Sequence, residues 1–429
     1  MSRPRQVGKY LIPTLLISIL VISIAATYSS YSSVNTPKAD PGAYIGIAFC
    51  GNSTQEAKLL IDRVKSYTNL FILDLGRNNP ISQNQTQLEE ICDYAVSNDL
   101  SIIINLGIKD VTDPAGWSWF WQAQSLDGIK QRWTDRWGSK FLGIYYNDEV
   151  GGLQLDADWR AWYTLFASRL NQIGVPIAND LYTIYLKMKA DVDNGTIPTN
   201  YDMEANFFVN DVMGMDPGVQ NLTAAKIPMF ISDYGLYWWD YLGGYSTVFT
   251  ELGWNGSVAE QIAEVKGAAR MQNKDWGAII TWKYDQIPYL DSGDQIYNQM
   301  LTSYEAGAKY ISIFDYPYNQ TAYGALTNDQ LLAIQRFWND ITTKKFTDLS
   351  TPEAALVLPH NFGWGMRNPN DTIWGFWLSD NRTQQIAIDI SELLARYGPA
   401  LDIVFDDPAY PVSNVPYQHV YYWNQTINL

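Results

Sequence analysis

Apolar strand-like runs alternate with amphipathic helical stretches along the chain from residue 42 to residue 347. The runs are short, rich in Val, Ile, Leu and Phe, and end at Gly, Asn or Asp, which predicts strands buried on both faces of a parallel sheet. Between them apolar residues recur at helical spacing, as at Ala57, Leu60, Ile61 and Val64. Eight strands are predicted, at 43–49, 70–75, 101–106, 141–146, 226–232, 246–250, 276–282 and 310–314.

Eight βα units over about 300 residues have the size of a (β/α)8 TIM barrel. A doubly wound open sheet is the competing α/β fold. No Gly-rich phosphate loop opens an early helix, and polar groups follow nearly every strand, so the pattern favours the barrel. We therefore predict an α/β protein whose barrel, at 42–347, is the catalytic domain.

The composition changes after residue 350, where a strand at 354–359, a helix at 384–397 and strands at 401–405 and 417–423 are predicted. These elements predict a small α/β C-terminal module at 352–429. The module is too short to form a complete enzyme.

The N-terminus has the pattern of an export segment. A basic stretch at 1–9, with Arg3, Arg5 and Lys9, precedes a mostly apolar run at 10–28. A positive flank followed by an apolar run is typical of a signal peptide or a signal anchor. The run is near the minimum length for a membrane span, and no clear cleavage site follows, so an uncleaved single-pass transmembrane anchor is favoured over a cleaved signal. Residues 29–41 are then a tether, and the body lies on the extracellular face of the membrane.

Nine N-x-S/T sequons accompany this segment, and they favour an exported glycoprotein over compositional accident. They lie at Asn52, Asn84, Asn194, Asn221, Asn255, Asn319, Asn370, Asn381 and Asn424.

Charge and composition exclude several function classes. The net charge of −16 makes nucleic acid an unlikely partner. Only two histidines, His360 and His419, are present, so a His-rich zinc site is not expected. The two cysteines, Cys50 and Cys92, are expected to be separate thiols rather than a disulfide. Many of the 17 Trp and 29 Tyr residues are expected in the core, but so many amphipathic rings also suit a cleft that stacks on sugar rings.

Carboxylates recur where the predicted strands end, and in a barrel the carboxyl ends of all strands open onto one cleft. Carboxylates, amides and aromatic rings are the groups used in glycoside hydrolysis, which needs neither a metal nor an organic cofactor. We predict Glu149 as the general acid, Glu251 as the nucleophile or base, and Asp148 as the residue that tunes Glu149. The remaining predicted binding residues for an oligosaccharide or polysaccharide substrate are Asp74, Asn105, Asn147, Asp233, Tyr234, Trp238, Trp254, Trp282, Tyr284, Asp285 and Asp315.

Three segments, 143–149, 249–254 and 276–282, resemble TIM-barrel glycoside hydrolases, in which catalytic acids stand on strand ends. The resemblance implies that Glu149, on the fourth strand, is the general acid. In the largest clan of these enzymes the nucleophile is a Glu that ends the seventh strand, whereas here that strand leads into Trp282, Lys283, Tyr284 and Asp285. A retaining or an inverting mechanism is therefore open. The C-terminal module resembles the flavodoxin-like domain that follows the barrel in some beta-galactosidases, which implies a role in forming homo-oligomers.

The leading interpretation is an exported glycoside hydrolase that acts on an extracellular glycan. The alternative is a non-catalytic barrel that binds glycans or has a structural role at the cell surface. A carboxylate-only, metal-dependent hydrolase is a third interpretation, but no motif has metal-ligand spacing.

Overall fold

The computed structural model describes residues 41–429, apart from residues 77, 110–113, 157–199, 255, 317–320, 323, 347–348 and 428–429. The predicted basic stretch at 1–9 and the predicted anchor at 10–28 lie outside these residues, as does nearly all of the tether. Among the residues that the structure describes, no helix is both long and apolar enough to cross a bilayer.

Eight parallel strands form a closed barrel in chain order, and β1 pairs with β8 to complete it. The predicted (β/α)8 fold is confirmed. The strands are β1 Tyr44–Phe49, β2 Leu70–Asp74, β3 Ser101–Asn105, β4 Phe141–Tyr145, β5 Met229–Asp233, β6 Thr247–Leu252, β7 Asp275–Ile280 and β8 Tyr310–Asp315.

The start of β5 is the largest departure from the predicted strand bounds. Residues predicted to open this strand instead form a turn, in which the backbone N–H groups of Lys226 and Ile227 bond back to Thr223 and Leu222. Lys226 has a φ of +51°, and Pro228 cannot donate a ladder hydrogen bond. The strand therefore begins at Met229.

Helices surround the barrel, and most begin at a Ser, Thr, Asn or Asp whose side chain accepts a backbone N–H of the first turn, as at Ser53, Ser292 and Thr327. The longer helices of the barrel region span Thr54–Val64, Gln85–Ser97, Leu126–Trp137, Pro217–Ala224, Val258–Met271, Gly293–Glu305 and Asn328–Thr343. Shorter helices span Trp119–Gln122, Val150–Asp156, Tyr201–Phe207 and Tyr237–Leu242, with a π-helical turn at Phe208–Met213.

The C-terminal residues add a parallel sheet of three strands, in the order β10–β9–β11, and one helix, Asn381–Tyr397. The strands are β9 Ala354–Leu358, β10 Leu401–Phe405 and β11 His419–Tyr422. Residues 41–429 form a single compact unit.

Close packing joins this sheet to the barrel helix Val258–Met271. A Cβ on Gly267 would lie 2.2 Å from the Ile403 carbonyl oxygen, so only glycine permits this approach. Beside it, the buried Asp402 carboxylate pairs with Lys266 at 3.1 Å and with Arg270 at 2.7 Å. Buried ion pairs of this kind hold their partners in one geometry, which fixes the module against the barrel.

Candidate active site

Because side chains alternate along each strand, the barrel interior has an apolar layer and, nearer the carboxyl ends of the strands, a polar layer. Interior residues of the lower layer include Ile72, Ile103, Phe230 and Phe249. Because alternate strand residues share a face, the residue two positions later also points inward. The inward-pointing polar residues at the carboxyl end are therefore Asp74, Asn105, Ser232 and Glu251.

The turn that follows β4 places Glu149 beside this layer. Asn147 and Glu149 have φ values of +62° and +53°, so the chain leaves the strand through left-handed backbone positions. The Glu149 N–H donates to the Ser232 carbonyl at 3.0 Å, which holds the turn against β5. The glycine pair after Glu149 is required by packing, since a Cβ on Gly152 would lie 2.1 Å from the Tyr234 ring.

The Glu149 and Glu251 carboxyls lie within hydrogen-bonding reach of each other, and both line the same cavities. On the other side of Glu251, the Ser232 hydroxyl lies 2.5 Å from Oε1 and 3.1 Å from an oxygen of Asp148. The Tyr145 hydroxyl lies 2.5 Å from the same Asp148 oxygen and 2.7 Å from Ser232 Oγ. The Ser232 hydroxyl thus bridges the Asp148 and Glu251 carboxyls, and the Tyr145 hydroxyl contacts both Asp148 and Ser232.

Burial and mutual repulsion favour a protonated state for part of this cluster. Burial first, and then the charge of Asp148, raise the pKa of Glu149. The pKa of Glu251 is well above its usual range because of burial and then the charges of Asp148 and Glu149, although the Ser232 hydrogen bond opposes the shift. Desolvation also raises the pKa of Asp148, and the hydrogen bonds from Tyr145 and Ser232 lower it. Because the Asp148 side chain still reaches solvent, the effect of desolvation on its pKa is weakened. Two neighbouring carboxyls repel each other when both are ionised, so the raised pKa values favour one acid and one carboxylate in this pair.

Asp74 supplies a fourth carboxyl at the floor of the site. It accepts a hydrogen bond of 2.6 Å from the Asn105 amide and lies 3.8 Å from Cys50 Sγ. Burial, followed by the charge of Asp148, raises its pKa to about 7, against the opposing effect of Asn105. Asp74 is therefore partly protonated near neutral pH.

Two connected cavities open above these carboxyls, with volumes of about 520 Å³ and about 220 Å³. Glu149, Glu251 and Trp254 line both. Trp254 is 49% exposed, and its backbone N–H donates to the Trp282 carbonyl at 2.9 Å. An exposed indole beside paired carboxyls is a suitable platform for the apolar face of a sugar ring.

The C-terminal module also contributes to the larger cavity, through Arg367 and Asn368. The Arg367 guanidinium makes two hydrogen bonds of 2.7 Å to Asp371 and one of 2.7 Å to Asp156, and it lies 5.6 Å from the centre of the Tyr234 ring. Neither residue was predicted, because no local pattern in the sequence connects this irregular segment with the barrel mouth.

Most predicted site residues are brought together. Those that border the two cavities are Asp74, Asp148, Glu149, Tyr234, Glu251, Trp254 and Trp282, and Asn105 touches Asp74. Asn147 lies beside them, with its amide 3.3 Å from the Tyr245 hydroxyl. Tyr145 and Ser232 belong to the site but were not predicted. Ser232 shares a face with Phe230, so strand alternation is the signal that could have identified it.

Asp233 and Trp238 lie away from the cavities, contrary to the expectation for both. Asp233 is buried on the outward face of β5, where it accepts backbone N–H groups from Gly151 at 2.6 Å and Gly152 at 2.8 Å and so caps the helix after Glu149. Trp238, 2% exposed, belongs to a helix rather than to an open loop, and it packs against Phe405 under the C-terminal sheet. Their physical roles are capping and core packing.

The last three predicted binding residues lie elsewhere at the barrel mouth. Asp315 comes directly after the inward-pointing Phe314, so its side chain points away from the barrel interior. It is buried there and accepts the Leu326 N–H at 3.0 Å. Tyr284 and Asp285 are exposed in the segment after β7, where Tyr284 borders a separate groove.

Within the described ranges, no group of three or more His, Cys, Asp or Glu residues is arranged to hold a metal ion. Cys50 and Cys92 are both free thiols, as predicted. Of the sequon asparagines, Asn52, Asn84, Asn370, Asn381 and Asn424 are exposed, and Asn221 is partly buried with its amide against the Pro217 carbonyl. Asn194, Asn255 and Asn319 lie outside the described residues.

No protein-family model matches the sequence, and no curated protein matches it. Solved structures similar to this chain include GH5_18 from Streptomyces cattleya in complex with GlcNAc, at 11% identity and a TM-score of 0.49, over 89% of this chain and 98% of that one. They also include the catalytic module of a family 98 glycoside hydrolase from Streptococcus pneumoniae, at 11% identity and a TM-score of 0.43, over 90% of this chain and 67% of that one. A 3-hexulose-6-phosphate synthase is matched as well, at 10% identity and a TM-score of 0.29, over 69% of this chain and 98% of that one. Proteins whose names give different activities are therefore similar to this chain.

Proposed function

We propose that the protein is a glycoside hydrolase in which Glu149 and Glu251 are the catalytic carboxyls. The observation that carries the proposal is the close approach of these two carboxyls at the floor of an open cleft beside an exposed Trp254. A paired acid and carboxylate are the two groups that hydrolysis of a glycosidic bond needs. The Arg367 guanidinium, which lines the same cavity, is paired with Asp156 and Asp371.

Glu149 is the better proton donor of the two. It is partly exposed, follows a left-handed turn, and borders both cavities, so its carboxyl can reach the oxygen of a leaving group. Glu251 is 5% exposed and is held by Ser232, which suits a fixed nucleophile or base. In the proposed reaction Glu149 protonates the leaving oxygen, and Glu251 attacks the anomeric carbon or deprotonates the attacking water.

Productive chemistry needs the two carboxyls further apart than they stand without substrate. Retaining enzymes hold them about 5–5.5 Å apart and inverting enzymes about 6.5–9.5 Å apart. A sugar ring that enters the cleft would separate the two carboxyls and turn Glu149 outward, since Glu251 is fixed from below. The bound separation would decide between the two mechanisms.

The test is hydrolysis of a panel of 4-nitrophenyl glycosides and polysaccharides by the purified protein and by Glu149→Gln and Glu251→Gln variants. Each variant should lose at least about 10³-fold in kcat, because its neutral amide supplies neither a proton nor a negative charge. Glu392→Gln, on the exposed face of the C-terminal helix, is the matched control and should retain full activity. Wild-type activity that survives both cleft substitutions would exclude the proposed catalytic pair.

A non-catalytic glycan-binding barrel is the second candidate, favoured by the fact that the two carboxyls lie within hydrogen-bonding reach instead of standing apart. It predicts that the wild-type protein binds glycans on an array but releases no reducing ends. Binding with turnover would exclude it.

The proposed site of action is an extracellular glycan, with the protein held at the membrane by residues 10–28. The basic flank and apolar run of the N-terminus support export, and so do the exposed sequon asparagines. Protease treatment of intact cells should release the folded body if this is right, whereas full protection would place the protein inside.

A further inference from the structure

A second groove, of about 560 Å³, lies on the same end of the barrel as the paired carboxyls. The segment after β7 and the first turn of the helix after β8 form it. Both follow the carboxyl ends of strands, so the groove opens on the face that carries the cleft. Its volume is within the range of about 300–1,000 Å³ that is typical of small-molecule sites.

One segment separates this groove from the smaller of the two cavities above the carboxyls. Trp282 lines that cavity, where its ring packs edge-on against Tyr316 at 4.8 Å between centroids. Tyr284, two residues later, lines the groove. The backbone N–H groups of Lys283 and Tyr284 both donate to the Tyr289 carbonyl, at 2.8 Å and 3.0 Å, so the segment folds back into a compact wall. The groove and the cavity that Trp282 lines therefore lie on opposite sides of this segment.

The groove has the surface chemistry of a sugar-binding site. Ile287 is 69% exposed and Tyr284 is 41% exposed, so both side chains offer apolar surface to a ligand in the groove. Gln286 and Gln295 add amide groups at the border. Lys283 pairs with Asp291 at 3.0 Å, whereas the exposed Asp329 keeps its charge and accepts the Gly293 N–H at 2.9 Å. Apolar surface beside amides and a carboxylate acceptor suits an uncharged polyhydroxyl ligand better than an anionic one.

We propose that this groove binds distal sugar units of the same uncharged glycan chain whose scissile bond lies at Glu149 and Glu251. The inference rests on the proposed function. It makes the substrate a chain that extends from the cavity bordered by Tyr234 and Arg367, past the paired carboxyls and over the Trp282 wall, to Tyr284.

The test compares chain lengths. The purified full chain and its Ile287→Ser and Tyr284→Ala variants are assayed on β-1,4-linked oligosaccharides of glucose, mannose and N-acetylglucosamine, from disaccharide to hexasaccharide. In both variants the ratio of kcat/KM for the hexasaccharide to that for the disaccharide should fall about fivefold to tenfold, through KM. Leu378→Ser removes an apolar side chain that is 84% exposed on the C-terminal module, and it should leave the ratio at the wild-type value.

Binding distinguishes a failure of the groove from a failure of the catalytic proposal. The hexasaccharides are titrated calorimetrically into Glu149→Gln protein with and without Ile287→Ser. Weaker binding in the double variant supports the groove even if the wild-type protein hydrolyses nothing. A ratio and an affinity that both stay at control values would overturn it, whatever happens to activity in Glu149→Gln.

Discussion

Replacement of Asp74 by Asn is expected to make the folded protein more stable at neutral and alkaline pH. The folded-state pKa of Asp74 is about 7 because burial and the charge of Asp148 disfavour its ionised form. An unfolded chain returns this group to its ordinary pKa of about 3.9. The folded state therefore binds more protons than the unfolded state between these two values, and the free energy of unfolding falls as pH rises from about 4 to about 7.

The size of the effect follows from the difference in pKa. About three pH units at about 1.4 kcal/mol each set an upper limit of about 4 kcal/mol above pH 7. Asp74 is partly exposed, and solvent screens its charge, so we expect about 1–3 kcal/mol. An Asn at this position keeps an oxygen that can accept the Asn105 amide hydrogen bond, so little native geometry is lost.

The measurement is urea unfolding of both proteins between pH 4 and pH 9. The difference in unfolding free energy should be near zero at pH 4, grow through pH 7 and then level off. The exposed Asp135→Asn is the control and should leave the curve unchanged. A variant that is less stable than the wild type at pH 8 would show that Asp74 is better stabilised as a carboxylate than its surroundings indicate. Activity should fall in the same variant, because a cleft carboxyl is lost.

Four other substitutions distinguish the roles of residues in the site, the helix cap and the core. Ser232→Ala removes the hydroxyl that lowers the pKa of Glu251, so the limb of the pH–rate profile that reports Glu251 should move to higher pH, measured from kcat/KM between pH 4 and pH 9. Asp233→Ala leaves the buried N–H groups at the start of a helix without their acceptor and should cost about 2–5 kcal/mol in urea unfolding. Trp238→Ala should cost about 3–5 kcal/mol, whereas Trp254→Ala should leave the unfolding free energy within about 1 kcal/mol and raise KM. Equal destabilisation by the two Trp variants would contradict the assignment of Trp238 to the core and Trp254 to the cleft.

The barrel could be predicted from the sequence because its determinants are local. Most βα units have their own apolar run and their own amphipathic stretch, and the closed barrel repeats that unit. The general position of the site was also predictable, because in a barrel every strand carries its last residues to the same end. Glu149 and Glu251 were identified on that basis, and the structure brings their carboxyls within hydrogen-bonding reach of each other.

The choice between neighbouring polar residues at one strand end needed the three-dimensional register. Ser232 points into the site, whereas Asp233 points outward and caps a helix. Successive strand residues face opposite sides, so a difference of one position exchanges a binding role for a structural one. The sequence analysis predicted Asp233 as a binding residue because it carries a carboxylate, but Ser232 is the residue that shares the inward face with Phe230.

Contacts between distant segments decided the rest. The sequence by itself determined a chain of βα units with acids at their ends, since helical and strand periods are properties of neighbouring residues. Only the tertiary structure placed Arg367 at the cleft and Trp238 beneath the C-terminal sheet. Arg367 reaches Asp156 across more than two hundred residues of sequence, and Trp238 reaches Phe405 across more than a hundred and sixty, and no local pattern in the sequence records such contacts. Each acid of the site lies at the end of a strand within one βα unit. The boundary of the cleft, by contrast, depends on packing between the barrel and the C-terminal module.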